Sequence, residues 1–136
     1  MLNLYQKRSL GITLGILEDE IRRLESLIRI GEQRNLFSHI ADDLKAEEKP
    51  LLQAKIERLM DNLLSLKDSF DLRHSQKDLI LSSIVKSTAV YLVVELEDAL
   101  SDRLKGHGPV APGLKESLDP KLRAMISILN EMNAMI

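Results

Sequence analysis

Three segments of the chain repeat apolar residues in alternating steps of four and three positions. Such a spacing has a period of 3.5 residues, which is typical of helices that pack in left-handed, heptad-type contacts. We call these three sets the heptad rows. Their members are Leu10, Leu14, Leu17, Ile21, Leu24 and Ile28; then Leu52, Ile56, Leu59, Leu63, Leu66 and Phe70; then Leu118, Leu122, Met125, Leu129, Met132 and Ile136. They predict helices over about residues 10–30, residues 50–70, and from Asp119-Pro120 to residue 136.

A fourth segment is apolar on nearly all sides. Residues 79–94 contain a single charged residue, Lys86, within a run of residues 75–104 that has neither Gly nor Pro. This pattern predicts a long helix over about residues 75–105, buried on most of its sides, with Ser75 and Asp78 as a capping box. As a helix, residues 79–96 span about 27 Å. Lys86 and four hydroxyl residues nevertheless favour a core helix over a membrane span.

The remaining segments are shorter. Residues 35–47 place five apolar residues on one helical side, which predicts either a short separate helix or a bent continuation of the first helix beyond Gly31. Residues 106–117 hold three Gly and two Pro and predict a loop connector. Residues 1–9 predict no clear element.

Together these elements predict an all-α protein. We expect one domain, residues 1–136, folded as an antiparallel helical bundle of four long helices and one short helix. Further apolar residues lie beside the heptad rows and broaden the apolar faces, which favours a homodimer over a closed four-helix monomer. These residues are Ile12, Ile16, Leu27, Ile30, Leu51, Met60, Leu64, Ile126, Ile128 and Met135.

Charge and composition restrict the classes of partner. The chain carries 19 basic and 21 acidic residues, interleaved, for a formal net charge of −2. No block of like charge is present, so the sequence predicts neither nucleic-acid nor membrane binding. Cysteine is absent, which excludes disulfides and agrees with a reducing compartment. We therefore expect a cytoplasmic protein.

Histidine residues offer little catalytic or metal chemistry. Helical di-iron sites need two Glu-x-x-His motifs, and this chain offers a single Asp-x-x-His, Asp71 to His74, in a predicted turn. On its predicted helix, His39 would occupy a place suited to a phosphorelay histidine. The resemblance to a sensor-kinase dimerisation helix is slight, because Ile40 stands where an acid is expected.

Acidic residues give one further partial match. Glu95 to Asp98 contains the Glu-x-x-Asp by which all-helical nucleotide pyrophosphohydrolases hold Mg²⁺, but the would-be partner motif starting at Glu18 ends in Arg22. Glu95 closes the apolar stretch, where partial burial would call for a counter-charge such as Lys86, Arg103 or a partner chain. A structural ion pair is favoured over a catalytic acid.

These patterns assign no catalytic, cofactor-binding or metal-ligating residue. The sequence favours a non-enzymatic protein–protein interaction or assembly module that self-associates through helix faces. The alternative is a regulatory or Mg²⁺-dependent enzyme-like bundle. It would use His39 or the acidic clusters at residues 18–20, 47–48 and 95–98.

Overall fold

Helices dominate the structure, a computed structural model that describes residues 1–73 and 77–136. The protein is all-α, as the sequence predicts, with a small two-stranded hairpin. The chain divides into an N-terminal unit, Met1–Lys77, and a C-terminal unit, Asp78–Ile136. Its elements are α1 (Leu4–Ile30), β1 (Gln33–Arg34), β2 (His39–Ile40), α2 (Glu48–Ser69), α3 (Leu81–Asp98), α4 (Ser101–Leu104), a 3₁₀ turn (Lys105–His107) and α5 (Leu114–Ala134).

In the N-terminal unit, α1 begins earlier than the heptad row predicts. Asn3 and Gln6 form a capping box in which each side-chain oxygen accepts a hydrogen bond from the other residue's backbone N–H, at 2.8 and 2.9 Å. These bonds satisfy donors that a helix start would otherwise leave unpaired. The first turn of α1 therefore forms within the segment for which the sequence predicts no clear element.

The helix predicted over residues 35–47 is wrong. A β-hairpin takes its place, with Gln33 paired to Ile40 and Arg34 paired to His39. Asn35 starts the turn: its backbone N–H donates to the carbonyl of Ser38 at 2.9 Å, and its side-chain amide donates to the Ser38 hydroxyl at 3.3 Å. Such local bonds compete with the helical ladder, and here they outweigh the helical spacing of the apolar residues.

Gly31 ends α1 and lets the chain turn toward the hairpin. Its φ of 75° and ψ of −121° lie outside the conformations that L-residues adopt readily, and its N–H donates to the Leu27 carbonyl at 2.9 Å. A Cβ at this position would lie 2.7 Å from Oδ2 of Asp42. That carboxylate is held by the Lys49 ammonium, which lowers the pKa of Asp42. Glycine therefore meets both a conformational and a steric requirement.

The C-terminus of α2 is closed by a Schellman motif. The N–H of Leu72 donates to the carbonyl of Lys67 at 2.9 Å, while Asp71 adopts a positive φ of 52°. The motif buries Leu72, which is 4% exposed. Asp71 also lies 4.0 Å from the ammonium of Lys7, so the end of α2 lies beside the start of α1 and the two helices run antiparallel.

In the C-terminal unit, the predicted helix over residues 75–105 is too long. α3 begins at Leu81, residues 77–80 are not helical, and the predicted Ser75–Asp78 capping box falls partly outside the described residues. The helix also ends at Asp98, and Leu100 is extended, with a ψ of 153°. A separate short helix, α4, follows this break.

The break after α3 is held by a carboxylate from elsewhere in the chain. Asp119 on α5 accepts hydrogen bonds from the backbone N–H and from the hydroxyl of Ser101, both at 2.9 Å. Both residues are buried. The bond gives a partner to the first backbone N–H of α4, which the helix itself leaves unpaired. It also fixes the end of α3 beside the early part of α5, so these two helices run antiparallel.

The predicted start of α5 at Asp119-Pro120 is also wrong, because α5 begins at Leu114 and Pro120 lies inside it. A proline inside a helix removes one backbone donor. The turn before Pro120 is nevertheless retained, since Leu114 and Leu118 are half-buried and Asp119 is bonded to Ser101. That the two units form one domain with left-handed packing throughout stays a prediction.

Replacement of Gly31 by alanine is expected to destabilise the protein by about 1–3 kcal/mol, because the substitution strains the backbone and meets Asp42. Chemical denaturation monitored by circular dichroism measures this loss. Gly15 is the matched control, since nothing lies within 4 Å of the place where its Cβ would stand. Gly15→Ala, in the interior of α1, should instead stabilise the protein by about 0.5–1 kcal/mol. Equal effects at the two positions would contradict this account of Gly31.

The Asp119–Ser101 bond predicts a specific pH dependence of stability. The backbone hydrogen bond from Ser101 lowers the pKa of Asp119, an effect that its burial opposes. The unfolded chain therefore takes up this proton first as the pH falls. The contribution of Asp119 is complete above about pH 5 and is lost progressively toward about pH 3 and below.

Asp119→Asn should lower the melting temperature at neutral pH by several degrees and should weaken the acid-induced loss of stability over the same pH range. Melting curves recorded from about pH 7 to pH 3 test both effects. Asp61→Asn, at an exposed position of α2, is the control and should leave the curves almost unchanged. An Asp119→Asn protein with the native pH profile would show that the carboxylate contributes nothing to the fold.

Candidate functional site

The heptad rows are only partly covered in the structure. In α2 every second member is buried or half-buried, namely Ile56, Leu63 and Phe70, while the alternate members are exposed. The exposed members in all three rows are Leu17 and Leu24 in α1; Leu52, Leu59 and Leu66 in α2; Met125 and Met132 in α5; and Ile136 just after α5. A two-helix pair covers one side of each helix. The rows therefore leave apolar surface available for further helix contacts.

Helix α3 carries two apolar faces on opposite sides. The inner face packs toward α5 and includes Ala89, which is buried, together with the half-buried Val85, Val93 and Leu96. Residues on the other side of the helix are exposed. The sequence predicts cover on every side of this helix, and the structure provides cover on one side.

The exposed side of α3 has a heptad spacing of its own. Its members, which we call the outer row, follow one another in steps of three and four: Ile84, Ser87, Tyr91, Val94 and Asp98. Tyr91 is 62% exposed, Val94 48% and Ile84 41%. Three of its five members are apolar, and apolar residues with this period are typical of a helix that pairs with another helix. The heptad spacing of this row is present in the sequence. It does not stand out there, because residues 79–94 are apolar on nearly all sides.

Polar groups in the outer row are compatible with burial. The hydroxyl of Ser87 donates to the carbonyl of Ser83 at 2.9 Å and lies 3.2 Å from the carbonyl of Ile84. A second helix could cover this hydroxyl without leaving it unpaired, since its hydrogen bond lies within α3. The small side chain of Ser87 also leaves room for close approach at the middle of the row.

The two ends of α3 differ in charge and in capping. At its N-terminus the N-cap position is occupied by Ile80, whose apolar side chain makes no capping hydrogen bond. Its last turns carry Glu95, Glu97 and Asp98, and the final turn has no basic residue. A helix has a partial positive charge at its N-terminus and a partial negative charge at its C-terminus. Both ends of α3 therefore lack a favourable electrostatic partner within the helix itself.

An apolar groove lies where the start of α3 meets the end of α5. Its volume is about 410 Å³, and its lining includes Leu81, Val85 and Met135. Asn133 lies at the half-buried side of α5 near this groove. Its amide oxygen is buried, and no hydrogen-bond donor reaches it within the described part of the chain. A buried polar atom without a hydrogen-bond partner lowers the stability of the folded protein.

The tip of the β-hairpin exposes two adjacent apolar residues. Leu36 is 94% exposed and Phe37 is 100% exposed. They line an open hollow together with Arg34, Asn35 and Ser38. The tip is a second exposed apolar feature, separate from the outer row of α3.

The histidines do not form a common site among the described residues. His39 lies in β2 and not on a helix, so its predicted helical placement is wrong. Its Nε2 lies 3.1 Å from Oε1 of Glu32, which also contacts Arg34. His107 is exposed in the 3₁₀ turn. His74 lies outside the described residues.

Two acidic residues of the cluster at residues 18–20 form surface ion pairs. Glu18 pairs with Arg22 at 3.0 Å, and Glu20 pairs with Arg23 at 3.5 Å. Across residues 1–73 and 77–136, no group of three or more His, Asp or Glu side chains is arranged to hold a metal ion. Exposed pairs of this kind contribute about 0–1 kcal/mol each.

Glu95 does not occupy the partly buried position that the sequence suggests. Its side chain is exposed on α3, so desolvation does not demand a counter-charge from Lys86 or Arg103. Glu95 also lies beside the outer row in the sequence of α3.

None of the helices among residues 1–73 and 77–136 has the length and apolar composition needed to span a membrane.

Replacement of Asn133 by leucine is expected to raise stability by about 1 kcal/mol, because it removes an unpaired buried amide oxygen and adds apolar contact. Asn130→Leu, on the exposed side of the same helix, is the matched control and should have a much smaller effect. Denaturant unfolding of both variants measures the difference. A loss of stability in Asn133→Leu would indicate that the amide makes a favourable contact in solution.

Comparison of the chain with known protein families, with curated proteins and with solved structures gives no significant match.

Proposed function

We propose that this protein is a non-enzymatic helical interaction module that forms a homodimer through the outer row of α3. The observation that carries the proposal is the exposed apolar row on the side of α3 that faces away from α5. An exposed row of this length costs free energy in water. Covering it gains roughly 25 cal/mol for each Å² of apolar surface removed from solvent.

A second copy of the chain suits this surface for two reasons. Twofold symmetry is the commonest arrangement of soluble oligomers, and a symmetric contact lets one apolar row cover an identical row. The row also has heptad spacing, which is the pattern that helix-to-helix pairing requires. The proposed assembly needs no bound ligand and no catalytic group.

Composition supports the proposed class of partner and the proposed location. The net charge of −2, without basic clusters, argues against nucleic acid and anionic membranes as partners. The absence of cysteine agrees with a reducing compartment, so we place the proposed homodimer in the cytoplasm. Other proteins could bind the exposed members of the heptad rows after the dimer forms.

Light scattering coupled to gel filtration tests the proposal directly. At micromolar concentration, the native chain should elute with twice the mass of one chain. Tyr91→Glu should weaken the dimer at least roughly a hundredfold, because it buries a carboxylate in an apolar contact on both copies. Circular dichroism of the variant checks that its helix content is retained.

Ile128→Glu is the matched control for this experiment. Ile128 lies on the exposed side of α5 and is 56% exposed, close to the value for Tyr91. The control should dimerise like the native protein. A native chain that stays monomeric at high concentration would overturn the proposed function. A dimer that Ile128→Glu disrupts and Tyr91→Glu does not would overturn the assignment to α3.

A further inference from the structure

Two copies of α3 can pair along the outer row in a parallel or an antiparallel orientation. Building on the proposed homodimer, we infer that they pair antiparallel, around a twofold axis at the level of Ala89. In this register Ser87 of each copy faces Tyr91 of the other, and Ile84 faces Val94. Asp98 at the end of each helix then lies beside the start of the other helix.

Side-chain size favours this register. The largest side chain of the outer row, Tyr91, faces the smallest, Ser87, and does so twice because of the symmetry. Large side chains opposite small ones fill the space between helices more evenly than like opposite like. A parallel pairing would instead place Tyr91 against Tyr91 and Ser87 against Ser87 in separate layers.

Charge gives a stronger argument. The acidic residues near the outer row, Glu95, Glu97 and Asp98, all lie in the last turns of α3, whereas residues 79–94 carry Lys86 as their one charged residue. A parallel pair would bring six carboxylates together at one end, beside two helix C-termini. An antiparallel pair separates them and places each acidic end beside the positive end of the other helix.

The uncapped start of α3 gives a third argument. The N-cap residue, Ile80, has an apolar side chain that cannot cap this end, and the first turn of a helix leaves backbone N–H groups without intrahelical partners. In the antiparallel register Asp98 of the second copy lies opposite Ile80, the N-cap residue. Aspartate is among the best N-cap residues. Each copy would therefore supply the cap that the other lacks.

Cysteine cross-linking tests the orientation, and the native chain provides a clean background because it has no cysteine. Ile84→Cys and Val94→Cys are prepared separately, mixed and oxidised mildly, with the disulfide mapped by mass spectrometry. In the antiparallel dimer, two copies of position 84 lie about 15 Å apart along the helix axis, and so do two copies of position 94. A disulfide joins Cα atoms no more than about 7 Å apart.

The expected result is a disulfide between position 84 of one copy and position 94 of the other, formed in the mixture. Neither variant should cross-link efficiently by itself. Efficient cross-linking of either variant alone would indicate a parallel pair and would overturn the inference. A dimer in light scattering without any of these disulfides would also overturn it, while leaving self-association intact. A monomeric native chain would overturn the proposed function itself.

Substitution of Asp98 tests the exchanged cap. Asp98→Ala should weaken the dimer roughly tenfold or more, because both copies lose a cap. Asp98→Asn should restore most of the affinity, since asparagine caps helices about as well as aspartate. Glu97→Ala removes the same charge from the neighbouring position and should change the affinity by less than about threefold. Equal effects of Asp98→Ala and Glu97→Ala, or no effect of Asp98→Ala, would overturn the capping contact.

Discussion

The structure depends on one geometric limit, namely that two packed helices can cover only one side of each other. Each described unit has one antiparallel pair of long helices, α1 with α2 and α3 with α5. The heptad rows supply more apolar residues than such a pair can bury, so members such as Leu24, Leu59 and Met125 stay exposed. Helix α3 also has apolar residues without cover, because Ile84, Tyr91 and Val94 of its outer row are exposed on the side away from α5. The proposed homodimer would cover side chains that these helix pairs leave exposed.

Sequence periodicity predicted the all-α class and the position of α2 almost to the residue. It could not predict which members of a heptad row face the neighbouring helix, because both positions of the heptad are equally apolar. Leu17 and Ile21 look alike in the sequence, yet one is exposed and the other is buried. That choice depends on the rotation of each helix against its partner, which is a property of the tertiary structure.

Two of the wrong predictions have different physical causes. The hairpin arises from local bonds between Asn35 and Ser38, which a search for apolar periodicity does not detect. The break between α3 and α4 arises from Asp119, which lies eighteen positions beyond Ser101 in the sequence. The early start of α1 differs from both, because the capping box of Asn3 and Gln6 is already visible as a local pattern in the sequence. The heptad spacing of the outer row is likewise visible in the sequence, but only the structure shows that these positions are exposed.

The buried bond between Asp119 and Ser101 also has a topological consequence. It joins the chain on either side of the Gly- and Pro-rich loop, so the two ends of that loop are fixed by the fold and not by the loop's own sequence. Closing a flexible loop costs only about 0.6 kcal/mol more each time its length doubles. The segment around Pro109 and Pro112 is therefore a place where extra sequence, such as an affinity tag or a fluorescent reporter, can be inserted while α3 and α5 keep their pairing.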